Sequence, residues 1–129
     1  MVRVGYLEGT DPMFLIDLTV RGVDTVPLSN GVDGHGKFVG HMTKADEIDV
    51  VVGYLHKVIP LSDSGLTPSD ILQCCRVHNI PALVVAQKEL HAKATVALGD
   101  ARNFVILVDP SELTIAFNRI MADKDADLG

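Results

Sequence analysis

Residues 48–55 have the sequence Ile-Asp-Val-Val-Val-Gly-Tyr-Leu, in which Asp49 carries the only charge. Side chains alternate between the two faces of a β-strand, so apolar residues at successive positions predict a strand that is buried on both faces. Such strands belong to parallel sheets, because helices cover both faces of those sheets. We therefore expect residues 48–55 to form a strand inside an α/β domain.

Similar apolar runs occur before and after this strand, and helix signals separate them. The other predicted strands are residues 2–7, 25–28, 80–86 and 103–108. Helix starts are indicated by Asp11-Pro12, Thr67-Pro68 and Asp109-Pro110, since each pairs an N-cap side chain with a proline at the first helical position.

This alternation of strands and helices predicts one three-layer α/β fold, a doubly wound parallel sheet with helices on both faces. We expect five strands in the flavodoxin-like order 2-1-3-4-5, which is a Rossmann-like arrangement. Residues 1–123 are expected to form a single α/β domain, and residues 124–129 a frayed polar tail.

The composition limits the classes of function. The chain has 129 residues and a formal net charge of −6, and its lysines and arginines are scattered singly, which argues against nucleic acid as a partner. No apolar stretch approaches the roughly 18 residues that span a bilayer, so we expect no membrane partner and a cytoplasmic protein. The cysteines, Cys74 and Cys75, are adjacent, a spacing that fits neither a disulfide framework nor a CxxC site.

Ligands of open parallel sheets bind outside the carboxyl ends of the strands, at the switch point between the first and third strands. A candidate catalytic set there is Glu8, Asp11 and His56, because carboxylates near a histidine fix its tautomer or raise its pKa. Small, glycine-rich and basic residues at the same edge suit an anionic group. The candidate ligand-binding residues are Gly9, Thr10, Ser29, Asn30, Gly34, His35, Gly36, Lys37, Ser62, Ser64 and Gly65.

The loop over residues 31–37, Gly-Val-Asp-Gly-His-Gly-Lys, has the spacing of a phosphate-binding P-loop as far as Gly36 and Lys37. Phe38 then stands where that motif needs a hydroxyl for magnesium, which argues against NTPase activity. A phosphoryl-accepting receiver domain is also disfavoured, since its pattern wants an aspartate after the third strand and a lysine after the fifth. The sequence has His56 and Asp109 at those places.

Two segments resemble known families. Asp33-Gly34-His35-Gly36 resembles a shortened form of the loop in cobalamin-binding domains, which implies His35 as an axial ligand oriented by Asp33. Residues 74–120, with Asn79-Ile80-Pro81 before a strand and Lys88-Glu89-Leu90 opening a helix, look like the ribosomal-protein type of fold that binds kink-turn RNA. The resemblances imply cobalamin binding and RNA binding, respectively.

The residues taken together favour a small-molecule-binding domain that holds an anionic metabolite, bearing phosphate or carboxylate, at the carboxyl edge of the sheet. Such a domain serves as an accessory or regulatory subunit or as an enzyme. The alternative is a homo-oligomeric interaction module without a ligand site. Its candidate contact residues are Ile71, Cys75, Leu113 and Ile120, each of which can equally belong to the core.

Overall fold

The computed structural model describes residues 2–30, 36–39, 42–60 and 65–128, with side chains as far as Asp123. One parallel sheet forms the centre of the molecule, in the order β3-β2-β1-β4-β5-β6. Its strands are β1 (Arg3–Leu7), β2 (Asp24–Ser29), β3 (Lys37–Phe38), β4 (Val50–Tyr54), β5 (Ala82–Val85) and β6 (Val105–Val108). The parallel α/β fold predicted from the sequence is confirmed.

The described part of the chain has six α-helices, five between strands and one after the last strand. They are α1 (Pro12–Val20), α2 (Leu55–Val58), α3 (Pro68–Ile71), α4 (Gln73–Val77), α5 (His91–Leu98) and α6 (Leu113–Leu128). Short 3-10 helices cover Lys44–Asp46, Lys88–Leu90, Gly99–Asn103 and Pro110–Glu112. None of the described helices is both long and apolar enough to cross a membrane.

The alternation of side chains along the strands divides the core into two layers. Val50 and Val52 of β4 pack with Phe14 of α1 and Phe117 of α6 on one face. Val51, which lies between them, packs on the other face with residues of α2 to α5. Both faces of β4 are therefore covered, as the continuous apolar run predicts.

The strand count was wrong by one. The five predicted strands have the predicted order, but β3 is added outside β2, where Lys37 pairs with Leu28 and Phe38 with Ser29. A short helix was expected to begin at Phe38. Gly36 precedes β3 with a φ of +80°, and a Cβ at this position would overlap the carbonyl oxygen of Pro27. Only glycine lets the chain approach β2 so closely.

Two helices also differ from the prediction. The helix expected after Thr67 is divided at Leu72, a fully buried residue between α3 and α4. The last helix, α6, continues to Leu128, into the segment 124–129 for which a polar tail is predicted.

Three of the four predicted contact residues belong to the core. Ile71, Cys75 and Leu113 are at most 4% exposed, and Ile120 is partly buried against the same core. They are apolar residues of helices, which is why the sequence suggests them as contacts between copies. The helices direct them towards the sheet instead. A contact between copies of the folded chain needs other residues.

Candidate functional site

The carboxyl ends of β1 and β4 are adjacent, because these two strands pair from Val4↔Val50 to Tyr6↔Val52. Glu8 and Gly9 follow β1, whereas α2 begins directly after β4. His56 and Lys57 therefore lie on a short helix instead of the loop that the sequence predicts. This helix places Lys57 beside the residues that follow β1.

Lys57 lies across the turn after β1. Its side chain is only 20% exposed, and its Nζ atom is 3.9 Å from Oε2 of the half-exposed Glu8. Gly9 has a φ of +85°, and the Cε atom of Lys57 lies 3.9 Å from the position that a Cβ would take there. The lysine side chain therefore lies beside Glu8 and Gly9, at the end of β1.

Asn30 joins the third neighbouring strand to this group. It follows β2, which pairs with β1 on the side away from β4. Its Nδ2 atom donates a hydrogen bond of 3.0 Å to the backbone carbonyl of Lys57. We call Glu8, Gly9, Asn30 and Lys57 the Lys57 cluster, which connects the ends of β2, β1 and β4.

Thr10 and Asp11, also predicted for the site, serve the local backbone. The buried Thr10 donates from Oγ1 to the carbonyl of Leu7 at 2.7 Å. Asp11 caps α1 by accepting a hydrogen bond of 3.0 Å from the amide of Met13. The carboxylate of Asp11 thus occupies the N-terminus of α1.

His56 is exposed, and its ring stacks on Tyr54 with the centroids 6.0 Å apart and the planes 24° from parallel. Among the described residues, the ion pair of Glu8 is with Lys57, and the hydrogen bond of Asp11 is with Met13. His56 lies next to the Lys57 cluster in sequence. A joint acid–base role of Glu8, Asp11 and His56 stays a prediction.

Lys37 is part of a different polar group. Its Nζ atom binds both carboxylate oxygens of Asp46, at 2.9 and 3.1 Å. Hydrogen bonds from the Thr43 backbone and from Lys37 hold the pKa of Asp46 below its usual value. The backbone carbonyl of Asp46 in turn accepts from Arg3, which begins β1. The Lys37 ammonium is therefore held by Asp46, while the register places the Lys37 backbone beside Leu28, near the carboxyl end of β2.

The remaining ligand-binding candidates fall into two groups. Gly34, His35, Ser62 and Ser64 lie outside the described residues, and the P-loop and cobalamin interpretations of residues 31–37 stay predictions. Ser29 is buried at the end of β2. Gly65 has a φ of +75°, and a Cβ built there meets no atom within 4 Å.

Asp109, which follows β6, links the loops at the other half of the carboxyl edge. Its carboxylate accepts hydrogen bonds from the amide of Lys88 at 2.9 Å and from the amide and hydroxyl of Ser111 at 3.0 and 2.6 Å. These bonds, with the Ser111 hydroxyl first, lower the pKa of Asp109. Because three donors occupy the carboxylate, its role is to join the loops that follow β5 and β6.

Lys57 lies at the edge where the sequence predicts a ligand, but it is not among the predicted candidate residues. A basic residue two positions beyond the predicted strand 48–55 was the available signal. Among the described residues, no three His, Cys, Asp or Glu side chains gather into a group that could hold a metal ion. Comparison with known proteins gave no matching family model, no matching curated protein and no matching solved structure.

Proposed function

We propose that this chain binds an anionic small molecule, bearing a phosphate or carboxylate group, at the Lys57 cluster. The observation that carries the proposal is the position of the largely buried Lys57 side chain, whose ammonium lies near Glu8 where the ends of β1 and β4 adjoin. This is the switch point of the sheet, where open parallel sheets bind their ligands.

The ion pair between Lys57 and Glu8 supports a site that can exchange partners. At 3.9 Å the two charged atoms are beyond hydrogen-bond distance, and Glu8 is 50% exposed. Ion pairs with this much exposure contribute about 1 kcal/mol or less to stability. Loss of the contact between Lys57 and Glu8 therefore costs little stability. A phosphate or carboxylate in direct contact with the ammonium makes a shorter, charge-assisted hydrogen bond.

The position of Lys57 is also fixed from its backbone. The bond from Asn30 holds the Lys57 carbonyl, and the side chain keeps little freedom because most of it is buried. Preorganised groups lose less entropy when they bind a ligand. Binding is thus the function proposed for the cluster, in an accessory or regulatory subunit or in an enzyme that uses His56.

The proposal includes self-association of the chain. Since Ile71, Cys75 and Leu113 are core residues, the contact between copies uses other apolar side chains. Exposed apolar residues are present on α1, including Met13 and Ile16, and at β6 and α6, including Ile106 and Ile115.

The anion site is tested by titrating inorganic phosphate and citrate into the wild-type chain and the Lys57→Gln variant in a calorimeter. The lost charge-assisted hydrogen bond should weaken binding about 10- to 100-fold. Lys93→Gln is the matched control, because Lys93 is an exposed lysine on α5. Equal affinities of the wild type and Lys57→Gln, or no binding of either anion by the wild type, would refute the site.

A further inference from the structure

A groove opens between the edge strand β6 and helix α6. Its volume is about 330 Å³, and its walls include Ile106, Ile115 and Ala116, with Glu112 and Arg119 on α6 and the turn before it. Positions 112, 115, 116 and 119 follow one face of a helix. The groove is therefore lined by isoleucine and alanine side chains together with an acidic and a basic residue on the same helical face.

Apolar side chains and the backbone groups of an edge strand are exposed at this groove. Ile106 is 44% exposed and Ile115 is 59% exposed. Of the strands in the described part of the chain, β6 pairs with β5 alone. An edge strand presents a row of backbone N–H and C=O groups that another strand can pair with. Both features are typical of a surface that another chain covers.

The charges on this face are self-complementary. Within the described residues, neither Glu112 nor Arg119 takes part in an ion pair. The two residues stand on opposite sides of Ile115 along the chain. When a second α6 packs antiparallel about a twofold axis near Ile115, Glu112 of each copy therefore meets Arg119 of the other. A chain with a net charge of −6 repels its own copies, so a contact between them needs such cross-paired charges.

We infer that two copies of this chain form a twofold-symmetric dimer through this face, which we call the β6–α6 face. The symmetric contact places the two Ile115 side chains beside the partner grooves and brings the two β6 edges together in antiparallel orientation. This inference rests on the proposed self-association and is independent of the anion site.

The exposed strip on α1 is a less suitable contact between copies. Met13, Ile16 and Val20 are 54 to 79% exposed on this helix. The charges beside them, Asp17 and Arg21, already pair within the chain at 3.1 Å. An antiparallel contact centred on Ile16 also brings Asp17 of the two copies close together, and like charges in a contact are unfavourable.

The test is sedimentation equilibrium of the full chain with Glu112→Arg, Arg119→Glu and the double variant that exchanges both charges. Each single variant places like charges together twice in the dimer and should weaken dimerisation at least about tenfold. The double variant should return to within a few-fold of the wild type. Circular dichroism confirms that all variants are folded.

A second pair of variants distinguishes the β6–α6 face from the strip on α1. Ile115→Lys should abolish the dimer, whereas Ile16→Lys, which changes a similarly exposed isoleucine, should leave it intact. A dimer that is lost in Ile16→Lys and kept in Ile115→Lys would overturn the β6–α6 face but not self-association. If the double charge variant dimerises as weakly as the single variants, the twofold pairing of Glu112 with Arg119 is overturned. If the wild type is a monomer, both the β6–α6 face and self-association are overturned.

Discussion

The side-chain amide of Asn30 donates a hydrogen bond of 3.0 Å to the backbone carbonyl of Lys57, 27 residues later in the chain. The bond crosses the end of β1 and connects the end of β2 with α2. It couples the position of Lys57 to the central strands. The anion site proposed here therefore depends on a residue that need not touch the anion.

Replacing Asn30 with alanine should lower both stability and anion affinity. The lost hydrogen bond costs about 1 kcal/mol in the free energy of unfolding, measured by urea denaturation. Phosphate affinity should fall several-fold, because the start of α2 is held less firmly. Asn103→Ala is the control, because Asn103 is exposed and precedes β6, which lies three strands away from β1 in the sheet. Unchanged affinity in Asn30→Ala would show that Asn30 does not position Lys57.

Gly9 and Gly22 provide a matched pair for the turn under Lys57. Their φ angles are +85° and +83°, so alanine is strained equally at both positions and should cost about 1 to 2 kcal/mol. A Cβ at Gly22 meets no atom within 4 Å, whereas a Cβ at Gly9 lies beside Lys57. Urea denaturation should give similar losses for Gly9→Ala and Gly22→Ala, but only Gly9→Ala should weaken phosphate binding. Equal binding by both variants would place the anion elsewhere.

The two adjacent cysteines should differ in reactivity. Burial raises the pKa of the Cys75 thiol to about 12, and Cys74 is only partly buried. A thiol-specific reagent at mildly alkaline pH should therefore modify Cys74 in the folded chain and both cysteines after denaturation. Rapid modification of Cys75 in the folded chain would contradict its burial.

The same thiol makes stability depend on alkaline pH. Unfolded Cys75 ionises near its ordinary pKa of 9.0, while the folded thiol stays protonated up to about pH 12. The stabilising contribution is complete below pH 9 and is lost as the pH rises towards 12, by about 1.4 kcal/mol per pH unit. Denaturation curves of Cys75→Ala should lack this component; parallel pH profiles for the two proteins would refute it.

Asp109 should contribute to stability only while it is ionised. Its pKa is lowered from 3.8 by hydrogen bonds from Ser111 and Lys88, so its contribution is present above that pH and is lost on further acidification. Asp109→Asn should melt at a lower temperature than the wild type at neutral pH. The difference should shrink as the pH falls below 3.8. Asp123→Asn, which changes an exposed aspartate of α6, is the control, and a difference that persists in acid would contradict the role of the charge.

Local signals were sufficient to predict most of the fold. Asp11, Thr67 and Asp109 each cap the helix that follows, because an acceptor side chain before proline acts within one turn of the chain. The strand around Val51 was evident from its continuous apolar sequence. These features depend on residues that are close together in sequence, and they also place the carboxyl edge correctly.

Long-range contacts account for what the sequence did not predict. β3 has two residues and forms only because Gly36 lets the chain approach Pro27. The contact of Lys57 with Glu8 joins residues 49 positions apart, through the pairing of β1 with β4. Lys37 is an anion-site candidate by its spacing in the sequence, and the fold pairs it with Asp46. No local pattern encodes these pairings.

Titration of the 15N-labelled chain with inorganic phosphate, followed by amide chemical shifts, tests the anion site most directly. The proposal predicts saturable shifts concentrated at Glu8, Gly9, Asn30 and Lys57, with smaller changes at Lys88 and Asp109. Shifts confined to the loops around Lys88 and Asp109, or no saturable shift at the Lys57 cluster, would contradict it.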